Sequence, residues 1–124
     1  MKEVIAVIRM NKMNATKKAL TDAGIAAFFA HECFGRGKGL VDPSALDGVK
    51  RGVEEAVAAV ADPIKLYPKR MLTVVVPDEM VDDVVSTIME ANRTGQPGDG
   101  KIFVLPVSDS VRVRTGESGT KAIV

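Results

Sequence analysis

The sequence has almost no cysteine and almost no histidine. Cys33 stands alone among 124 residues, so no disulfide can close within the chain, which fits a reducing cytoplasm. His31 is the only histidine, and one His with one Cys does not make a structural zinc site. On a strand the two would share a face, where packing explains them more simply than nucleophilic catalysis does. No excess of one charge exists either: the formal net charge is +1, which is not a nucleic-acid footprint. No apolar run is long enough to cross a bilayer, so membrane insertion is not expected. The opening Met1-Lys2-Glu3-Val4 enters strand-like alternation at once and shows no small-residue cleavage site, so a signal peptide is not expected. The length suits a single domain over residues 1–124.

What the chain does have is patterned apolar sequence. Val4-Ile5-Ala6-Val7-Ile8 is a continuous apolar run rich in β-branched residues, and it reads as a strand covered on both faces. Asn11 or Asn14 is placed to cap a helix over about residues 15–23, and Gly24 suits its C-terminal stop. Residues 25–34 read as a second strand, with Phe28, Phe29 and Phe34 available to a core. Residues 69–76 are strand again, stopped by Pro77. Asp78 is placed to cap the helix that follows, and Glu79, Asp82 and Asp83 suit its positive end. Val81, Val84, Val85, Ile88 and Met89 recur on one helical face, and Gly95 closes that helix. Residues 102–107 read as the last long strand, and Val111-Arg112-Val113-Arg114 as a short alternating one. The small, polar tail over 115–124 reads as a mobile end.

Between the second and third strands lies a long insertion. Gly35-Arg36-Gly37-Lys38-Gly39 breaks the pattern, and no strand signal returns until about Tyr67. The insertion is not uniformly polar. Ser44 and Asp47 resemble a capping box, and Leu46, Val49, Val53, Val57 and Val60 follow at helical spacing, with Lys50, Arg51, Glu54 and Glu55 between them. An amphipathic helix is expected, its stripe either packed back on the domain or docked into a partner's groove.

The most distinctive stretch is Thr94-Gly95-Gln96-Pro97-Gly98-Asp99-Gly100-Lys101-Ile102-Phe103. Glycines permit positive φ and close approach of a ligand, successive amides can form an anion-binding concavity, and the lysine adds a point charge. Gly95 to Lys101 has the spacing of the first part of a Walker loop, but Ile102 follows where a hydroxyl should stand. The loop also follows a helix and opens a strand, the reverse of a Walker loop, so no helix N-terminus cradles the guest. Phosphate binding and a plain glycine-rich connection both remain open on spacing alone. Arg112 and Arg114 at i and i+2 on a strand would present two guanidiniums on one face, suited to phosphate oxygens or simply solvated.

The order β-α-β, long loop, β-α-β suits a ferredoxin-like α+β sandwich: a four-stranded antiparallel sheet with two helices on one face. Two helices cover one face only. The runs at residues 4–8 and 74–76 lack polar alternation, so the other face is apolar too, and a closed ring of identical subunits is the expected way to bury it.

These features together resemble the PII family of nitrogen-regulatory signal proteins over nearly the whole chain. Thr94, Gly98, Asp99, Gly100, Lys101, Ile102 and Phe103 look like the family's B-loop signature, spanning residues 94–101. Residues 111–117 are similar to the C-terminal segment (111–124 here) that closes over a nucleotide from a neighbouring subunit. Phe34-Gly35-Arg36 and Pro68-Lys69 match the two ends of the family's T-loop, about residues 35–68. The resemblance implies a non-enzymatic trimer that binds ATP or ADP between subunits, with magnesium carried by the nucleotide, and senses 2-oxoglutarate. It implies that Gly98, Asp99, Gly100 and Lys101 hold the phosphates. Gly35, Arg36, Gly37 and Val75 would line the ligands, and Lys69 would meet a carboxylate of 2-oxoglutarate. Arg112, Val113 and Arg114 would arrive from the adjacent chain, and Leu46, Val49, Val53, Val57 and Val60 would face a target protein.

Two departures narrow the resemblance. Gly37 stands where many members have a glutamine that helps hold magnesium and 2-oxoglutarate, which leaves the effector's ligands open, Lys38 among them. The T-loop lacks the modifiable tyrosine: Tyr67, the only tyrosine, lies at the loop's end, and Ser44 is its only serine. With Met10-Asn11-Lys12 and the enlarged loop, the chain looks like the second paralogue of the nitrogenase-associated branch. That branch implies a homotrimer or a mixed oligomer with a paralogous PII subunit, inhibiting the molybdenum–iron component of nitrogenase in response to ammonium. The alternatives are regulation of an ammonium channel or of glutamine synthetase. A phosphate-processing enzyme is disfavoured, because no carboxylate pair or activated nucleophile accompanies the glycine turn.

Overall fold

The computed structural model describes residues 1–37 and 65–123. The insertion stripe of Leu46, Val49, Val53, Val57 and Val60 lies outside the described residues. Within them the order is β1 (Lys2–Arg9), α1 (Met13–Asp22), β2 (Phe29–Gly35), β3 (Tyr67–Val76), α2 (Val81–Asn92) and β4 (Lys101–Pro106). The four strands form one antiparallel sheet in the order β2-β3-β1-β4, the ferredoxin-like arrangement expected from the pattern.

Alternation along β1 shows how the sheet is used. Val4, Ala6 and Ile8 are buried, while Ile5 and Val7 on the opposite face are half-buried. Val4, Ala6 and Ile8 join Leu72, Val74 and Val76 of β3 against Met13 and Leu20 of α1 and Val84 and Ile88 of α2. The described residues therefore cover one face of the sheet, not both. The second face carries a cross-strand row of Phe29, Thr73, Ile5 and Phe103, in which both phenylalanines remain exposed.

The helices are tied together by a polar contact inside the core. The Asn92 amide donates to the Thr16 hydroxyl at 2.9 Å, and that hydroxyl donates to the Lys12 carbonyl at 2.7 Å. The same amide nitrogen also donates to the Ile88 carbonyl at 2.9 Å, so the donor side of the buried amide is satisfied, while its oxygen has no hydrogen-bond partner among the described residues.

Several local expectations are corrected. Neither Asn11 nor Asn14 caps α1, which is entered through a 3-10 turn over Met10–Lys12 with no side-chain cap. Asp78 does not cap α2: it lies in a second 3-10 turn, Asp78–Met80, and pairs with the Met1 amino group at 3.0 Å. A 3-10 entry satisfies early amides with backbone carbonyls, so no side-chain oxygen is required. Gly24 does terminate α1 with φ +85°, but α2 ends at Asn92, before Gly95. The second strand begins at Phe29, not Ile25, although Ile25 is buried. Phe28 packs on the core, whereas Phe29 and Phe34 are exposed: Phe29 stands on the face opposite the helices, beside Thr73, and Phe34 lies near the end of the edge strand β2, opposite Pro68.

Residues 111–114 are not a strand. Val111 makes one isolated bridge to Ser118, and the chain between them turns back, with the Gly116 amide donating to the Arg112 carbonyl at 2.8 Å and the Arg112 amide to the Glu117 carbonyl at 2.8 Å. Gly116 has φ +73°, the conformation this reversal needs. The hook continues into a 3-10 turn, Thr120–Ala122, in place of the mobile tail expected. Among the described residues, no helix is long and apolar enough to cross a membrane.

Candidate functional site

The glycine-rich loop joins the end of α2 to the start of β4. Gly95, Gly98 and Gly100 take φ of +81°, +96° and +112°, all in the region that favours glycine. Gly100 is also held against β1: a Cβ there would lie 2.1 Å from the Val7 carbonyl oxygen.

Asp99 braces this loop from within. One carboxylate oxygen accepts the amides of Thr94 and Gly95 at 2.8 and 2.9 Å. The other accepts the Thr94 hydroxyl and the Arg9 guanidinium, the latter at 2.7 Å. Arg9 also donates to the Pro97 carbonyl at 2.7 Å. The Asp99 carboxylate is thus occupied inside the loop, where it shapes the turn.

Burial pushes the Asp99 carboxyl up, but the hydrogen bonds from Thr94, Arg9 and Gly95 outweigh it and hold the group down at about 2. A carboxyl whose folded value lies below its unfolded one stabilises the fold fully above the unfolded pKa, near 4, and loses that contribution as pH falls through about 2. Asp99→Asn is expected to cost on the order of 2 kcal/mol at pH 7 and to flatten the fall in stability between about pH 4 and 2. Denaturant unfolding across that range checks it; parallel acid profiles for the two proteins would refute it.

Strand register gathers further cations at the same end of the sheet. Lys101 opens β4 opposite Val7, and Arg9 ends β1 opposite Lys69, which in turn faces Cys33 of β2. These positions share the face left open by the helices. Gly35 ends β2 two positions further on, opposite Tyr67, and Arg36 and Gly37 follow it. Gly98, Asp99, Gly100, Lys101, Lys69 and the root Gly35-Arg36-Gly37 are therefore brought to one end of the sheet. On the helix side of the loop a cleft of about 400 Å³ runs between α2 and β4, lined by Val85, Ile88, Met89 and Ile102, with Asn92 and Arg93 beside them.

Four expected residues are not brought there by the same chain. Val75 pairs with Glu3, near the opposite end of the sheet. Arg112, Val113 and Arg114 follow Pro106, which pairs with Lys2, also at the opposite end. In the hook, Arg112 donates to Glu117 at 2.6 Å and to the Lys121 carbonyl at 2.8 Å, and Val113 and Arg114 are exposed at the tip. Arg9 is the residue that sequence reasoning missed. An arginine at a strand end belongs to no motif, and its partner is 90 positions away.

The described residues contain no group of three His, Cys, Asp or Glu side chains able to hold a metal ion. What they offer is backbone amides with positive φ, a lysine, and a cationic sheet end.

Comparisons with known proteins bear on the family and the fold. The family model described as Nitrogen regulatory protein P-II matches residues 1–117. The chain is 46% identical over 126 residues to the nitrogen fixation nifHD region GlnB-like protein 2 of Methanobacterium ivanovii, covering 100% of both chains. It is 48% identical over 128 residues to the protein of the same name from Methanothermococcus thermolithotrophicus, covering 99% of this chain and 98% of that one. Among solved structures, Arabidopsis thaliana PII bound to citrate matches with a TM-score of 0.73 and 34% identity, over 98% of this chain and 88% of that chain. The chain belongs to the P-II family of nitrogen regulatory proteins.

Proposed function

We propose that this protein is a non-enzymatic, cytoplasmic nitrogen-status sensor that binds ATP or ADP at the braced glycine loop and 2-oxoglutarate beside it, and acts on a target through residues 35–68. The observation that carries this reading is the loop itself. Glycines of positive φ are locked by Asp99 and Arg9 at the sheet end where Lys101 and Lys69 gather. A turn of this kind suits a polyphosphate, because oriented amides and a lysine balance its charge with little reorganisation.

Gly98, Gly100 and Lys101 would contact phosphate, with Asp99 holding their conformation. Gly35, Arg36 and Gly37 would border the ligand, and Lys69 would pair with a carboxylate of 2-oxoglutarate. Val75, Arg112, Val113 and Arg114 sit at the far end of their own chain, so they would reach the site from an adjacent protomer. That requirement, with the exposed apolar face, supports a trimer of this chain or a mixed oligomer with a paralogue. With no acidic cluster among the described residues, magnesium would be held chiefly by the phosphates. The names of the relatives, from nifHD regions, support nitrogenase as the target, with residues 46–60 supplying the contact stripe.

Calorimetry tests this. ATP should bind the native protein, and Lys101→Ala should weaken it about tenfold, the scale of one charge-assisted contact. ATP and 2-oxoglutarate should each tighten the other by the same factor, as linkage requires. Unchanged ATP affinity in the variant would remove Lys101 from the site, and mutual indifference of the two ligands would remove the sensing role.

A further inference from the structure

We propose that Arg9 is a positioning residue for phosphate binding: from the end of β1 it holds the loop in its anion-ready shape and neutralises the one carboxylate placed beside the guest. The inference rests on the phosphate-binding reading above. Arg9 makes two bonds of 2.7 Å, one from each terminal nitrogen, to the Asp99 carboxylate and to the Pro97 carbonyl. The planar guanidinium meets each acceptor with its own nitrogen, whereas a lysine would have to serve both from one. The pair is well shielded, with side-chain exposures of 13% for Arg9 and 26% for Asp99.

Two consequences follow from losing it. The loop segment at Pro97 is released from β1, so the amides from Gly98 onward are no longer preset. The Asp99 carboxylate is also left without its guanidinium, adding a negative charge next to a bound anion. Across the sheet Arg9 faces Lys69, and like charges on opposed residues repel, so pairing Arg9 with Asp99 also eases the approach of Lys69 to the same site.

The test is ADP affinity, with unfolding midpoints measured in parallel. Arg9→Ala should weaken ADP about thirtyfold, and Arg9→Lys, which keeps the charge but not the fork, only several-fold. Adding Asp99→Asn to Arg9→Ala should restore part of the loss, because it removes the stranded charge. A role confined to stability would lower the midpoint, leave the affinity of the folded protein unchanged, and give no such rescue. Wild-type ADP affinity in folded Arg9→Ala, or simple addition of the two losses, would overturn the proposal. If Arg9→Ala does not fold, Arg9→Lys decides: unchanged affinity there overturns it. A wild-type protein that binds no ADP would overturn the function proposed above instead. The loop bracing would then be read from amide exchange over residues 94–101, which either Arg9 variant must accelerate.

Discussion

Gly100→Ala is expected to lower stability by about 3 kcal/mol and the unfolding midpoint by roughly 10 °C, and to abolish nucleotide binding at concentrations that saturate the wild type. The added methyl would lie 2.1 Å from the Val7 carbonyl oxygen, and that oxygen belongs to β1, one of the two inner strands of the sheet. Backbone cannot yield as a flexible side chain would, so the loop must lift from β1. The residue also has φ +112°, which an alanine adopts only under strain. Lifting the loop displaces Lys101, whose pairing with Val7 starts β4. Gly95→Ala is the matched control. Its φ is +81°, but nothing lies within 4 Å of its would-be Cβ, so only the conformational cost of about 1 kcal/mol applies. Thermal unfolding of the two variants side by side checks the claim; equal midpoints would show that the contact with Val7 does not constrain the loop.

That contrast marks how far the residues could be read without coordinates. The glycine cluster, its place between a helix and a strand, and Lys101 at the strand's first position are all visible as local pattern. So is the buried stripe of α2, because a period of about 3.6 residues reports a face directly, whereas the unbroken apolar run of β1 marks a strand without telling which residues meet the helices. Which glycine touches β1 is not visible, since Val7 is far away in sequence. Arg9 was hidden for the same reason: its acceptors lie 88 and 90 positions off. Local chemistry misled where a tertiary alternative won. Val111-Arg112-Val113-Arg114 alternates like a strand, yet among the described residues no strand pairs with it, and the turn at Gly116 returns Glu117 to Arg112 instead. Asp78 has the right type and place for a cap, but the Met1 amino group lies beside it. The phenylalanines of β2 are apolar without being core residues, because Phe29 stands on the face opposite the helices and Phe34 near the end of the edge strand.

On the assembly proposed above, Phe103→Asp is expected to convert a trimer, three copies of a 13.2 kDa chain, into monomers, and to remove nucleotide binding along with it. Phe103 is 50% exposed in the single chain, next to Ile5 in the row that also contains Thr73 and Phe29. Leu105, two positions along β4 on the same face, is exposed as well. No element of the described chain covers this row, while the opposite face already has its helices. A carboxylate placed at such a centre loses the burial of the ring and adds a desolvated charge, together about 4 kcal/mol or more per interface, or roughly a thousandfold in association. The substitution should be mild for the isolated fold, because the side chain stands on the open face and not among Val4, Ala6 and Ile8. Binding should be lost for a topological reason: β4 runs from Lys101, beside the loop, to Pro106 at the opposite end of the sheet, and Arg112 and Arg114 follow it there, so on the proposed function a neighbouring protomer brings them to the loop. Sedimentation equilibrium, with ADP calorimetry on the same samples, separates the possibilities. Monomeric Phe103→Asp with intact ADP affinity would show that one chain suffices, and a wild type that sediments as a monomer would show that the open face is not an interface between copies.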